Sequence, residues 1–359
     1  VNLEAIESQG FISRSSRWRL VTSAILVLLL VAIFLSLTVG FSKFSAVSVF
    51  KALLQSTPFL GKALGLAGSD EKEMMIITEI RLPRILVGAL AGSGLALAGV
   101  IFQGIFRNPM ADPYIIGVSS GAAFGAALAI VMGVGYSVFG INAVSALSFL
   151  AATLTVLAVY NLARVGPRAP VVTLLLSGVA MSIFLSSLVS LMQVFSGWEL
   201  RRLVYWMMGG FTYVEWKDVF SIFPLVSVGA VLTYFFARDL NIMTLGDEEA
   251  QHLGVNVESS RKVLIAVGSL MTAAAVSVGG LIAFVGLVIP HLTRMLVGPD
   301  HRILIPSAFF TGALFLILCD AIARGISSLA ELPVGIVTAL SGGPFFIYLL
   351  RKSRGRYTM

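Results

Sequence analysis

The chain has 359 residues, 57% of them hydrophobic and only 12% charged, with a formal net charge of +7. Soluble domains carry about 25% charged residues, so there is too little polar surface here to cover a globule of this size. That excludes a soluble enzyme and a disordered chain and leaves lipid as the solvent. The basic residues lie in small groups between apolar runs, too sparse to follow a nucleic-acid backbone, and read as loop anchors at an anionic membrane face.

In chain order, residues 20–39 are the first apolar run, preceded by Arg14, Arg17 and Arg19. At about 20 residues it exceeds the 7–15 of a secretory h-region and has no clean small-residue cleavage site, so it reads as a retained transmembrane helix. Hydropathy predicts ten spans: 18–40, 82–106, 114–133, 138–162, 171–195, 219–237, 263–281, 283–297, 303–323 and 333–350. The seventh and eighth are divided at Gly279-Gly280, because that stretch is too long for one crossing and too short for two. The short eighth span carries Pro290, which predicts an interrupted helix.

With the N-terminus inside, 15 of the 25 Lys and Arg fall on inner segments, so the positive-inside rule puts both termini in the cytoplasm. The organisation is then an N-terminal segment at 1–17, one membrane domain at 18–350 and a basic tail at 351–359. An outer segment, 41–80, is expected to hold one or two short helices. The longest inner loop, 239–262, is polar, and Gly246 and Gly254 bracket a short helix with Asp247, Glu248 and Glu249 in its first turn, where acids suit the helix dipole.

Glycine pairs four apart, at 88 and 92, 117 and 121, and 121 and 125, predict close helix packing. The lone cysteine, Cys319, excludes an internal disulfide and reads as a small packing residue. Gly117-Val118-Ser119-Ser120-Gly121 fits a nucleophile elbow, but no strand precedes it. Leu340-Ser341-Gly342-Gly343 copies part of a nucleotide-contacting motif, yet it lies inside an apolar span. No phosphate-binding G-x-x-x-x-G-K-[ST] occurs anywhere, so any ATP would be hydrolysed by a partner. His252, His291 and His301 lack metal-ligand spacing; His252 and His301 read as loop residues, and His291 as a packed neutral histidine or a cavity-lining one.

Charges near the membrane gather at its outer side. Asp320 and Arg324 are four apart and share a helix face. Arg81 and Arg84 flank Pro83, and Glu331 precedes Pro333. On composition alone these arginines are either a docking surface or interfacial snorkelling residues. No carboxylate falls at mid-bilayer, where an ion-coupled secondary transporter would need one; that transporter, working without an ATPase, stays as the alternative.

Several blocks resemble the FecCD-type permease family of type II ABC importers. They are RLPR at 81–84, GIFRNPMADPYIIGVSSGAAFG at 104–125, YWMMGGF at 205–211, LGDEEAQHLGV at 245–255, GLIAFVGLVIPHLTRMLVGPDHR at 280–302 and ELPVGIVTALSGGPFFIYLL at 331–350. The resemblance spans about 20–352. It implies an all-α polytopic permease fold of ten helices per subunit, forming a homodimer around a central pathway in a bacterial or archaeal plasma membrane. It further implies two P-loop ATPase subunits holding ATP and Mg on the cytoplasmic side, and an external substrate-binding protein. The chain itself would bind no cofactor. The cargo would be an iron or cobalt chelate: ferric siderophore or haem, with cobalamin close behind.

The resemblance also assigns residues. Arg81, Arg84 and Arg324 match arginines that meet glutamates of the binding protein in the family's cobalamin importer. Leu245, Gly246, Glu248, Ala250, His252, Leu253 and Gly254 match the coupling segment that rests on the ATPase. Val171 and Val172 stand at the cytoplasmic gate, where that relative has small polar residues, which departs from its pattern. Met181, Met192 and Gln193 are pathway-lining candidates.

Overall fold

The structure is a computed structural model that describes residues 3–40, 44–56, 70–134, 142–166, 168–326 and 331–353; within these, the side chains of 3–17, 350, 352 and 353 are not described. The expected tail beyond 353 and the parts of the outer segment at 41–43 and 57–69 lie outside the described residues.

Among the described residues the chain is helical, with no strand beyond an isolated bridge between Val165 and Arg168. The helices are α1 Leu3–Thr38, α2 Ala46–Ser56, α3 Glu71–Met75, α4 Leu82–Ile105, α5 Val118–Val131, α6 Ala143–Ala163, α7 Val171–Phe195, α8 Leu200–Met207, α9 Trp216–Phe235, α10 Ala237–Met243, α11 Asp247–His252, α12 Val257–Gly279, α13 Val285–Val297, α14 His301–Gly325 and α15 Val334–Ser353. Each of the ten expected spans coincides with an apolar helix. Seven are long enough to cross a membrane, and the third, eighth and tenth (α5, α13 and α15) are shorter. Of the one or two short helices expected in 41–80, the described residues show α2, while α3 opens the longer helix that continues into α4.

Helix α1 begins at Leu3, within the segment expected to precede the first span, and α12 begins at Val257, six residues before the expected seventh span. Two further differences bear on the site. The second span does not begin at 82. Helix runs unbroken from Glu71 to Ile105 through a π-helical stretch, Ile76–Arg81. In that wider turn the Leu82 amide bonds the Ile77 carbonyl, five residues back. Pro83, with no amide, leaves the next carbonyl in the series, Thr78, without a backbone donor. The Trp216 indole N–H bonds it at 3.1 Å, so the helix continues past the proline. The second difference is α13, which is continuous through Pro290; the interruption precedes it, at 280–284. There Gly280 and Phe284 adopt positive φ, and the exposed polar backbone is met from within the protein. Tyr114 Oη donates to the Ile282 carbonyl at 2.8 Å, and the Gly210 amide donates to Gly279 O at 2.8 Å. Non-helical backbone inside a membrane protein needs such partners because lipid supplies none.

Helix α4 is the central post and packs against α1, α9, α12, α13 and α14. It is buried almost all round, and glycines set its closest approaches. A Cβ on Gly92 would overlap the Gly312 carbonyl of α14, and one on Gly99 would overlap the Gly286 carbonyl of α13. The Gly286 carbonyl is the one that Pro290 leaves without an amide in the helix ladder, so Gly99 lets α4 close over it. Helix α7 lies at the opposite extreme. It touches α5 and α6 and leaves most of its length exposed. Cys319 is buried and free. His301 is not a loop residue: it opens α14, is buried, and its Nδ1 lies 2.8 Å from Asn241 Oδ1. His252 ends α11.

Candidate functional site

Among the described residues the buried charged side chains lie at the two ends of the bundle. At one end are the C-terminus of α1, the start of α4, the start of α9 and the end of α14. At the other are the end of α4, the segment before α7, α10, α11 and the start of α12.

At the first end Asp320 lies between two arginines. Arg84 places Nε 3.0 Å and Nη2 2.9 Å from Asp320 Oδ1, while Arg324 Nε reaches Oδ2 at 2.9 Å. The four-residue spacing of Asp320 and Arg324 puts them on one face of α14, as the sequence predicts. Arg84 Nη1 also pairs with Glu331 Oε2 at 2.8 Å, and Thr212 Oγ1 donates to the same oxygen at 3.2 Å. The carboxylates differ in setting: the Asp320 side chain is 3% exposed and that of Glu331 43%.

The remaining donors serve the end of α1. Arg324 Nη1 donates to Val39 O at 2.7 Å and Nη2 to Ser36 O at 3.1 Å and Ser36 Oγ at 2.6 Å. Arg81 Nη1 donates to Leu37 O, and its guanidinium lies 4.5 Å from the Phe44 ring centre. The last carbonyls of a helix have no amide partners and carry partial negative charge, so two arginines cap α1 from neighbouring elements. The resemblance matches Arg81, Arg84 and Arg324 to arginines that meet a binding protein. The structure brings them together but buries all three, at 6%, 6% and 7% exposure, with their guanidiniums turned into their own chain.

At the opposite end α11 stands on a small apolar base. Ala250 is fully buried with Met243, Val255 and Val257, while Leu245 and Leu253 project outward at 64% and 54% exposure. Glu248 and His252 are also exposed. Gly246 (φ 142°) opens the helix and Gly254 (φ 82°) closes it, both in conformations that favour glycine. Past Gly254 the chain folds back through Val255 N to Ala250 O at 3.0 Å, a glycine-dependent helix stop. The result is a rigid knob with apolar and charged groups on its outer face. Arg261 holds it from α12: its Nη2 lies 2.6 Å from Asp247 Oδ2 and its Nη1 3.3 Å from Glu258 Oε2.

Helix α7 starts beside this knob. Val171 is half-buried and Val172 is 67% exposed, at the head of an exposed stripe continued by Leu176, Val179 and Ile183 at helical spacing. Of the lining candidates, Met181 is half-buried. Met192 packs on the α5–α6 cluster, and Gln193 Nε2 lies 3.3 Å from Met207 Sδ in α8, so these two meet neighbouring helices. Sequence reasoning missed the roles of Glu258 and Arg261. Their i, i+3 spacing ahead of an apolar run, eleven and fourteen residues after Asp247, is the signal that could have marked them. Among the described residues no group of three or more His, Cys, Asp or Glu is placed to hold a metal ion.

Comparison with known proteins gives a consistent set of likenesses. The FecCD transport family matches residues 28–352. The chain is 47% identical over 289 residues to the cobalamin import system permease protein BtuC of Halobacterium salinarum, covering 80% of this chain and 77% of that one. It is 39% identical to the hemin transport system permease protein HmuU of Yersinia pestis, covering 77% and 83%. It is 35% identical to the Fe(3+)-citrate import system permease protein YfmD of Bacillus subtilis, covering 95% and 97%. A solved structure described as an inward-facing conformation of a metal-chelate type ABC transporter superposes with a TM-score of 0.79 at 34% identity, covering 92% of this chain and 98% of that one.

Proposed function

This chain belongs to the FecCD transport family of ABC importer permeases, and from that premise we propose that two copies of it form the membrane pathway for a large metal chelate: a ferric siderophore or haem, with cobalamin close behind. A binding protein delivers the cargo on the side of Arg84 and Glu331, and two ATPase subunits engage α11 on the cytoplasmic side. ATP and Mg reside on those ATPases.

The observation that carries this reading is the form of α11. A six-residue helix fixed by two glycines, with Leu245 and Leu253 exposed around a buried Ala250, has little reason to display two leucines to water. Apolar side chains held on a stiff polar mount suit a partner's groove. Closure of the ATPases would push on this mount, and the helices behind it would exchange between outward- and inward-open states. The exposed stripe of α7 supports a second copy across the pathway, with Val172 and its partner narrowing the cytoplasmic mouth by apolar side chains that exclude water.

The binding-protein side is argued from charge. Arg84 is buried, yet one of its two carboxylate partners, Glu331, is open to water. A glutamate on a docking protein would compete for the same guanidinium, giving salt-sensitive, sign-selective association. The ion-coupled alternative draws no support from the buried carboxylates described. Asp218 caps the start of α9 and Asp320 is tied to two arginines, both at the end of the bundle that holds Arg84. The test is copurification: the chain with its cognate ABC ATPase should form a complex that the double variant Leu245→Asp/Leu253→Asp fails to form. Equal complex formation by that variant would overturn the assignment of α11.

A further inference from the structure

Between α11 and the start of α7 runs a chain of charged contacts. Asp247, the first residue of α11, accepts from Arg261 Nη2 at 2.6 Å. The same guanidinium donates through Nη1 to Glu258 Oε2 at 3.3 Å. The other oxygen of Glu258, Oε1, accepts the backbone amide of Ala169 at 2.6 Å. Ala169 is buried, and the next residue, Pro170, is the cap from which α7 begins. Thr173 Oγ1 then ties the first turn of α7 back to Pro170 O and Ala163 O, both at 2.8 Å. A cleft lined by Arg168, Gln251, Gly254, Asn256 and Glu258 lies along this path.

The contacts differ in stiffness. Asp247 also meets Arg107 at 3.4 Å, but both side chains are about 40% exposed, so that pair is soft. The Arg261 side chain is 5% exposed, and its bonds are strengthened by charge and burial. Its Nε is buried and has no hydrogen-bond partner. The Arg261 guanidinium joins two carboxylates, Asp247 on α11 and Glu258 one turn earlier on its own helix α12, and Glu258 reaches the segment before α7.

We propose that Asp247, Arg261 and Glu258 are positioning residues that transmit displacement of α11 to the amide of Ala169, and so to the Val171–Val172 constriction at the head of α7. When α11 moves, Asp247 carries Arg261 with it. Glu258 follows Arg261, and the segment before α7 follows Glu258. This rests on the function proposed above for its driving force, but the mechanical link is a property of this chain alone.

The test has two arms on the full-length permease. In nanodiscs without partners, hydrogen–deuterium exchange compares wild type with Asp247→Ala. That substitution lies in α11, and residues 169–175 hold no bond to Asp247. The expected result is a roughly tenfold loss of protection over 169–175 as well as in α11; a change confined to α11 and the start of α12 would overturn the relay. In proteoliposomes with the ATPase and a chelate-loaded binding protein, Glu258→Ala should still assemble and hydrolyse ATP within about twofold of wild type, while chelate moved per ATP falls at least about tenfold. Glu258→Gln, which keeps an acceptor for Ala169, should recover part of that ratio. Hydrolysis and transport falling together, or an unchanged ratio, would show a merely structural role. If wild type itself moves no chelate with the ATPase, the proposed function fails, and the exchange arm alone still decides the relay.

Discussion

Arg84 is held between two carboxylates of opposite setting, 2.9 Å from the buried Asp320 and 2.8 Å from the exposed Glu331. The first bond fixes the guanidinium in the bundle, and the second is open to exchange with a partner. Glu331→Gln should therefore leave the fold intact and strengthen docking of an acidic binding protein by up to about tenfold, or ~1.4 kcal/mol. Arg84→Glu should abolish docking. Binding of purified binding protein to immobilised permease, measured at two salt concentrations, checks both; undiminished docking to Arg84→Glu would remove Arg84 from the interface.

Asp320 neutralises two buried arginines at once, so its loss strands charge inside the protein. Asp320→Asn is expected to destabilise the permease by about 3–5 kcal/mol, the usual consequence of breaking a buried pair from one side. Adding Arg324→Gln removes one stranded charge and should restore part of the loss, because the residues are in contact and not additive. Reversible unfolding in mixed micelles reads both values. A loss below ~1 kcal/mol for the single variant would mean the network is looser than its geometry.

The glycines of α4 are not equivalent. Gly99→Val drives a side chain into the Gly286 carbonyl and should cost at least about 1–3 kcal/mol, with poor accumulation in the membrane. Gly88→Ala places a methyl 3.7 Å from the Phe211 ring, an ordinary contact, and should be neutral or stabilising by ~0.5–1 kcal/mol through helix propensity. Thermal aggregation midpoints of the two variants should separate in that order.

Gly254 combines a left-handed conformation with open space: a Cβ there meets nothing within 4 Å. Gly254→Arg should thus cost only the backbone strain, about 1–2 kcal/mol, and leave the permease folded. The new side chain would stand beside α11, on the surface proposed to engage the ATPase. Chelate uptake per ATP hydrolysed should fall about tenfold or more while size-exclusion behaviour is unchanged.

The ten spans were legible because a membrane helix needs about twenty apolar residues and little else. The break near Gly279-Gly280 was legible from its length alone. The continuity of helix through Pro83 was not, because it depends on Trp216, 138 positions away, reaching the Thr78 carbonyl. The arginines illustrate the same limit. Position in sequence places Arg81, Arg84 and Arg324 at one end of the bundle, and the spacing pairs Asp320 with Arg324. Which way Arg81 and Arg324 turn is set by the last carbonyls of α1, at Ser36, Leu37 and Val39, and Arg84 turns to Asp320 and Glu331; hydropathy shows neither. The two glycines around α11 were readable as its bounds, but the bond of Arg261 to Asp247 needed the fold to bring α11 and α12 together.

The most direct test of the central claim is uptake into proteoliposomes. The permease is reconstituted with its cognate ABC ATPase, ATP is sealed inside, and binding protein loaded with haem, a ferric siderophore or cobalamin is added outside. The expected result is accumulation of one of these chelates that requires ATP, the ATPase and the binding protein together. Accumulation driven by a proton or sodium gradient with the ATPase omitted would contradict it.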